Sequence, residues 1–507
     1  MRLDQRKMGV LLTYVSEAIK ILTTLVYTPV MLRLLGEIEY GLYQTVSSTV
    51  AYLSLLSLGF GSAYVRYHSK YQVKNDEDGI ARLNGMFLLV FCTMSLVCLI
   101  CGGFMIGNAR GIFGEKLTAG ELEQSKLLMT VLIVSMAITF PNSVFNCYVT
   151  AHEKFIFQKL LIVVQNTLNP CLTLPLLMLG YGSVAVVAVS AVLTVVVFVS
   201  NLVFCCKKLK MSFTFRKLEF SLLREMSAFT FFIFLNQIID QVNWAVDKFL
   251  LIRMVGPASV TVYSVGAQIN SMYLQISTAV SNVFVPKVNQ IVAGSNDNDA
   301  LTQLMTKVGR VQFLLLGLVL TGFISFGKPF IRLWTGEGFD QAYTVALLLI
   351  IPVTVPLVQN LGIEIQRAKN MHRARSVVYI CLAAVNVFLS VFLIRSWGVV
   401  GAAAGTAVAL LLGNGLFMNW YYHKKIGLNM ISFWREQVRL VPALLLLGTL
   451  GVVYAQFVQI KGWLVLLASA VAYTAVYALV MWLLGMNEYE KQLVRKMLSK
   501  LPGVRCK

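Results

Sequence analysis

Asn236, Asp240, Asn243 and Asp247 recur at steps of four, three and four inside one apolar stretch. That spacing puts two carboxylates and two amides on a single helical face. Gln237, Gln241 and Lys248 widen the face, and Gln268, Asn270, Gln275 and Asn282 extend the polar pattern into the next apolar stretch. So polar a stripe does not face lipid. It either hydrogen-bonds to neighbouring helices or lines a hydrated cavity. Near the N-terminus, Glu17 and Lys20 lie one turn apart in another apolar run. Each such charge costs roughly 2.5–3.5 kcal/mol at a helix centre. The two either neutralise one another within the helix or line the same cavity. The chemistry open to this set is binding and ion traffic. Glu17, Asp240 and Asp247 could take up a proton or Na⁺. Lys20, Lys248, Asn236, Asn243, Gln268 and Asn270 could hold a polar solute.

Bond-making chemistry has no comparable footing. The sequence has no P-loop, no His/Cys metal cluster, no triad candidate and no cofactor motif. Four histidines, His68, His152, His372 and His423, all fall in segments expected on the inner side. Glu37 and Glu39 superficially fit the acidic first outer loop of membrane glycosyltransferases that use polyprenyl donors. That loop is only about six residues long, too short to house a sugar site.

The elements that must position these residues are membrane spans. Hydrophobic residues make up 57% of the chain and charged residues 13%, which excludes an ordinary soluble protein. Charges gather between apolar runs of about 20 residues, the length that crosses a bilayer core, and there are about fourteen such runs. With the N-terminus inside, about three quarters of the 43 Lys and Arg residues lie on inner segments, so both termini are expected in the cytoplasm. Basic clusters such as Lys207, Lys208 and Lys210 sit where anionic headgroups would meet them. With no basic domain apart from the membrane loops, a nucleic-acid partner is not expected. The nine cysteines fall within spans, at their inner ends or in the tail, none placed for an outer disulfide.

One hydrophobic unit is used twice. Arg33-Leu34-Leu35-Gly36 followed by Tyr43 matches Arg253-Met254-Val255-Gly256 followed by Tyr263. A second echo sets Asn169 and Gly180-Tyr181-Gly182 against Asn386 and Trp397-Gly398. Internal repeats of this kind are a transporter signature. The expected architecture is an all-α integral membrane protein with about 14 transmembrane helices: two parallel six-helix repeats plus a C-terminal helical hairpin. Residues 1–227 form an N-terminal lobe with its linker and 228–438 a C-terminal lobe. Residues 439–507 supply the hairpin and a basic cytoplasmic tail. The repeat makes Lys20 equivalent to Asp240, Glu17 to Gln237 and Arg33 to Arg253. This sets Lys20 opposite Asp240 across an expected central cavity.

Gly36-Glu37-Ile38-Glu39-Tyr40-Gly41-Leu42-Tyr43, then Leu56-Ser57-Leu58-Gly59-Phe60-Gly61 and Arg66, resembles the first two spans of polysaccharide (Wzx-type) flippases. Gly401–Ala404 and the span count resemble them too. These belong to the superfamily that also holds lipid II flippases and MATE drug exporters. The resemblance implies a membrane flippase that moves an undecaprenyl-diphosphate-linked oligosaccharide from the inner to the outer leaflet of a bacterial cytoplasmic membrane. An ion gradient would drive it, and membrane lipids and polysaccharide polymerase or export proteins would be its partners. It would work as a monomer. Arg33 and Arg253 at the outer mouth, and Arg66 at the inner end of the second span, would then meet diphosphate oxygens. The plain alternative for all three is anchoring at headgroups. Trp244, Tyr263 and Tyr273 would meet sugars, or serve as packing. Lipid II flippase and MATE-type exporter remain same-class alternatives, and a polyprenyl-dependent glycosyltransferase is the alternative from another class.

Overall fold

The computed structural model describes residues 5–57, 59–216, 245–369 and 373–498, together with residues 230, 234, 237, 238, 241 and 371. All regular structure among them is helical. Ten helical segments are long and apolar enough to cross a membrane. Two of these, Val15–Ser57 and Val378–Ile426, run to 43 and 49 residues, each holding two of the expected spans. The eighth expected span is a 37-residue helix that carries Gln268, Asn270, Gln275 and Asn282. Nearly half of the expected seventh span, Asp240 included, lies outside the described residues. The chain is thus an all-α, multi-pass membrane protein.

In chain order the main helices are α1 Gln5–Ala51, α2 Phe60–Val73, α3 Glu77–Gly107, α4 Ala119–Ala151, α5 Phe155–Met178, α6 Gly182–Val203, α7 Pro257–Ala293, α8 Asn298–Thr335, α9 Asp340–Val358, α10 Leu361–Ala368, α11 Arg373–Leu410, α12 Met430–Val438, α13 Val441–Phe457, α14 Trp463–Val480 and α15 Glu488–Leu498. A further helical stretch covers 245–254. Two long helices bend at glycine: α1 at Gly36 (φ 76°) and α11 at Gly398 (φ 56°). Gly256, the repeat partner of Gly36, also has positive φ, at 130°. Such backbone is cheap only without a Cβ. The recurring glycine therefore does the same job twice, ending one span and starting the next. Helix starts between spans carry polar caps. Asp76 accepts from Gly79 N at 2.7 Å, and Thr118 with Glu121 forms a reciprocal capping box.

The chain divides into two compact units, 1–264 and 265–507. In the first, α1 packs on α5 and α4 on both α3 and α6. The second is built around Leu316, Ile350, Leu357, Tyr422 and Phe433, all buried. Tyr273 joins this core, its hydroxyl 2.9 Å from Thr354 and bonded to the Leu316 carbonyl. The α13–α14 hairpin packs on α8 through Leu444, Leu447, Tyr473 and Tyr477. Its other face exposes Leu445, Leu450, Val453, Leu464, Leu467 and Val471. So continuous an apolar face suits lipid and not water.

Arg310 on α8 is 4% exposed and fully engaged. It donates from Nε and Nη2 to the Glu490 carboxylate at 2.6 and 3.1 Å, and to the carbonyls of Glu436 and Gly485 at 2.6 and 2.9 Å. Glu490 also closes the capping box of α15 with Asn487.

Candidate functional site

The most informative polar cluster lies in the first unit, where the later part of α1 meets the stretch 245–261. On α1, Glu37, Gly41, Gln44 and Ser48 follow steps of four, three and four, one helical face. At the top, Thr261 Oγ1 donates to the Glu37 carbonyl at 2.5 Å. Below it, Gly41 touches the backbone of Pro257 so closely that a Cβ there would lie 2.0 Å from the Pro257 oxygen. Lower still, Lys248 Nζ donates to Gln44 Oε1 at 3.1 Å, and Gln44 Nε2 donates to Tyr40 Oη at 2.9 Å. Lys248 is partly buried, and among the described residues it has no carboxylate partner. Its neighbour Asp247 is 1% exposed and accepts from Tyr263 Oη at 2.5 Å.

A partly buried ammonium whose one bond among the described residues is to a neutral amide is an expensive arrangement. Lys248 Nζ can donate three hydrogen bonds and gives one among the described residues. The spare capacity and the charge both suit an anionic oxygen.

The other candidates fall out as follows. Glu17 and Lys20 approach to 3.9 Å, the outer limit of an ion pair, with both side chains about half exposed. Asn236, Asp240, Asn243 and Trp244 lie outside the described residues, so the expected opposition of Lys20 and Asp240 has no geometry here. Arg33, Arg66 and Arg253 are exposed. Arg253 passes over Gly114, its Cγ 3.1 Å from where a Cβ would stand. In the second unit, Asn270 is 1% exposed and its Oδ1 has no hydrogen-bond partner among the described residues, while Gln268 is partly buried. Other polar residues of α7 go into packing. Ser277 donates to the Leu357 carbonyl, and Gln312 donates to Ser277 and Ser281. Tyr273 belongs to the same buried network, which places it in the core and gives a sugar nothing to meet.

Glu39 has a clear structural task. Its Oε1 accepts from Ser183 N at 2.6 Å, Ser183 Oγ at 2.8 Å and Gln124 Nε2 at 2.5 Å, capping the start of α6. Of the two glutamates that superficially fitted a glycosyltransferase loop, Glu39 is thereby committed to architecture. Gln44 went unrecognised in the sequence reading. Its signal was present: Gly41, Gln44 and Ser48 are small or polar residues at helical spacing inside an apolar span. No group of three metal-ligating side chains occurs among the described residues.

Residues 7–292, more than half the chain, match the family described as "Polysaccharide biosynthesis protein". The chain belongs to this family. It is 23% identical over 494 residues to "Uncharacterized membrane protein EpsK" of Bacillus subtilis (strain 168), covering 94% of each chain. It is 19% identical over 408 residues to "Putative O-antigen transporter" of Shigella flexneri, covering 77% of this chain and 91% of that one. Among solved structures it resembles the lipid II flippase MurJ, with TM-score 0.71 and 13% identity over 94% of this chain and 98% of that one. It also resembles a multidrug resistance MATE family transporter of the MOP superfamily, with TM-score 0.64 and 14% identity over 82% of this chain and 96% of that one. The fold is therefore the one shared by these transporters. The polysaccharide biosynthesis family places the chain among membrane flippases and not among enzymes.

Proposed function

We propose that this flippase carries an undecaprenyl-diphosphate-linked oligosaccharide from the inner to the outer leaflet of a bacterial cytoplasmic membrane. The observation that carries this reading is Lys248, a partly buried cation whose single described partner is the Gln44 amide. A diphosphate headgroup offers the opposite charge and enough oxygens to fill the remaining donor positions. Arg33 and Arg253 near one mouth and Arg66 near the other extend a cationic route. Asn236, Asn243, Gln268 and Asn270 would serve sugar hydroxyls. The family description and the printed name of the Shigella relative support a polysaccharide cargo over a drug. The net charge of +20 also favours an anionic cargo over a cationic one. Transport would proceed by alternating access of two repeat-related lobes. Asp247, with Glu17 and Asp240, would couple it to H⁺ or Na⁺. Both termini would be cytoplasmic.

The test is a leaflet assay in vesicles holding the purified protein. A fluorescent lipid-linked oligosaccharide starts in one leaflet, and a membrane-impermeant quencher reports its arrival in the other. Faster crossing than in protein-free vesicles is expected, with further acceleration by a pH or Na⁺ gradient. Crossing at the protein-free rate rejects the reading. Crossing of lipid II alone, or of a cationic dye alone, moves the cargo to that class.

A further inference from the structure

Between two apolar spans of the second unit lies α12, a helix of nine residues. The helical stretch before it ends at Ile426, and α13 begins at Val441. Only a few residues tie α12 to a span at either end, so it is held at a boundary of lipid and water. Trp420, half exposed near the end of the earlier span, marks the same level.

One face of α12 is mounted on α8. Met430, Phe433 and Gln437, at steps of three and four, are buried. Phe433 and Gln437 press on Gly309 of α8, where a Cβ would stand 2.9 and 3.1 Å from them. Asn429 caps the first turn by accepting from Ser432 N at 3.0 Å, and its own N–H donates to Thr302 Oγ1 at 3.2 Å. Near the last turn, the Glu436 carbonyl accepts from Arg310 Nη1. Fixed at both ends and along one side, the helix presents a fixed opposite side.

That side carries Ile431, Arg435 and Val438, at steps of four and three, all exposed. Beside α12 packs the wide π-type turn Tyr422–Ile426, which exposes Lys424 and Lys425. The first unit has the same turn at matching positions of the repeat. There Lys207 and Lys208 are exposed, and Met211 N donates to the Cys205 carbonyl as Leu428 N donates to that of Tyr422. The charge of Arg439 is met by Glu436 at 2.5 Å. Arg435, Lys424 and Lys425 have no carboxylate partner among the described residues. Three unmet cations beside two exposed apolar side chains suit a ligand that is anionic at one end and apolar at the other.

We infer that α12 and the dibasic turn bind an anionic phospholipid of the surrounding leaflet, its headgroup phosphate meeting Arg435, Lys424 and Lys425 and its acyl chains lying along Ile431 and Val438. The guanidinium grips phosphate oxygens with its planar fork, and the two ammonium groups add charge. A zwitterionic headgroup brings its own cation and answers these three poorly. A free phosphate leaves Ile431 and Val438 without a partner. Lipid held here braces α8 through Phe433, Gln437 and the bond from Arg310.

The test uses the full chain with its native cysteines replaced and the fluorophore NBD attached at Ile431→Cys, in phosphatidylcholine vesicles. A nitroxide-labelled phosphatidylglycerol or phosphatidylcholine, with the same chains and at the same mole fraction, serves as quencher. Both lipids are expected to quench. Phosphatidylglycerol is expected to show a roughly five-fold higher local occupancy, the size of one basic residue's attraction to an anionic surface. The excess is expected to vanish when Lys424→Gln, Lys425→Gln and Arg435→Gln are combined. These side chains are exposed, so the unfolding midpoint in detergent should match the parent. Arg367→Gln removes an exposed cation already paired with Glu364 at 2.7 Å, and is expected to keep the excess. Inorganic phosphate at fixed ionic strength is expected to leave it unchanged. Quenching by neither lipid would put this side of α12 in water and overturn the inference. Equal quenching by both lipids overturns it, as does an excess that survives the triple substitution or falls equally in Arg367→Gln. An excess abolished by inorganic phosphate assigns the cations to a free anion and overturns it too. None of these readouts involves transport, so failure of the cargo assignment in the leaflet assay leaves this result standing.

Discussion

Arg310 and Lys248 are both cations withdrawn from water, and they are partnered in opposite ways. Arg310 faces one carboxylate in a two-bond grip, two carbonyls, and the Glu436 carboxylate at 3.8 Å. Its fork of donors is nearly saturated. Among the described residues, Lys248 gives a single bond, to a neutral amide. The contrast separates architecture from function better than burial does. A buried cation whose charge is met within the fold has nothing left for a ligand. A cation whose charge the fold leaves unmet either costs stability for no return or is kept for something that arrives later. The residue types follow the same logic, because a planar guanidinium suits a fixed multi-point site and an ammonium on a flexible stem suits exchange of partners.

The largest effect should come from breaking the saturated site. Arg310→Ala leaves Glu490 buried and uncompensated, so a loss of roughly 3–5 kcal/mol is expected. Thermal unfolding of the purified protein in detergent would show it as a marked fall in midpoint. Arg310→Met combined with Glu490→Leu should recover much of that loss, because the charge left stranded is gone. A single alanine variant as stable as the parent would mean that Arg310 is no more structural than Lys248.

The next effect sharpens the other half of the contrast. Lys248→Met removes a costly charge and keeps the stem's apolar contacts. Stability should stay level or rise by roughly 1 kcal/mol, while cargo movement in the vesicle assay falls to the protein-free rate. Loss of both stability and transport would make Lys248 a framework residue and dissolve the comparison.

Much of this architecture was legible beforehand, because lipid imposes its rules on composition. Apolar length marked the spans, and the Arg-Gly-Tyr echo marked the repeat. The glycine of that echo proves to be the positive-φ residue at Gly36 and at Gly256. The site was less legible. The polar stripe on 236–247 was visible by period, yet period cannot separate a cavity from interhelical bonding. Along α7 the structure assigns Tyr273, Ser277 and Ser281 to bonding within the core. Gln44 could be seen as part of a polar face, but its partner could not, because Lys248 lies about two hundred residues away. Only the fold brings such partners together. The same holds for Glu39, read as a loop acid and found capping α6 through Ser183.

The smallest effect concerns a third unpartnered group, which meets the same problem by staying neutral. His68 lies on α2 beyond the expected second span, toward the inner end. It is fully buried, and among the described residues neither ring nitrogen has a hydrogen-bond partner. Around it stand Tyr64 from its own helix, Tyr148 from α4 and His152 just past its end, with ring centroids 5.9, 5.5 and 5.0 Å away. Glu77, at the start of α3, is an acidic influence on Tyr148 in this cluster. Burial, and secondarily the neighbouring His152, lowers the His68 pKa from 6.5 to about 4. In the unfolded chain the ring would titrate near its ordinary value. Between about pH 6.5 and 4 the unfolded state therefore binds more protons than the folded one, and stability rises with pH across that window. Acidification should remove it, by about 1 kcal/mol from pH 6.5 to 5.5. The loss should approach completion only near the folded pKa. His68→Phe keeps an aromatic ring in the cluster without the titrating nitrogens, so its unfolding midpoint should lose that part of the slope. Identical pH dependence in the two proteins would mean that His68 finds a compensating charge. The division between met and unmet buried groups would then fail at the site where geometry draws it most simply.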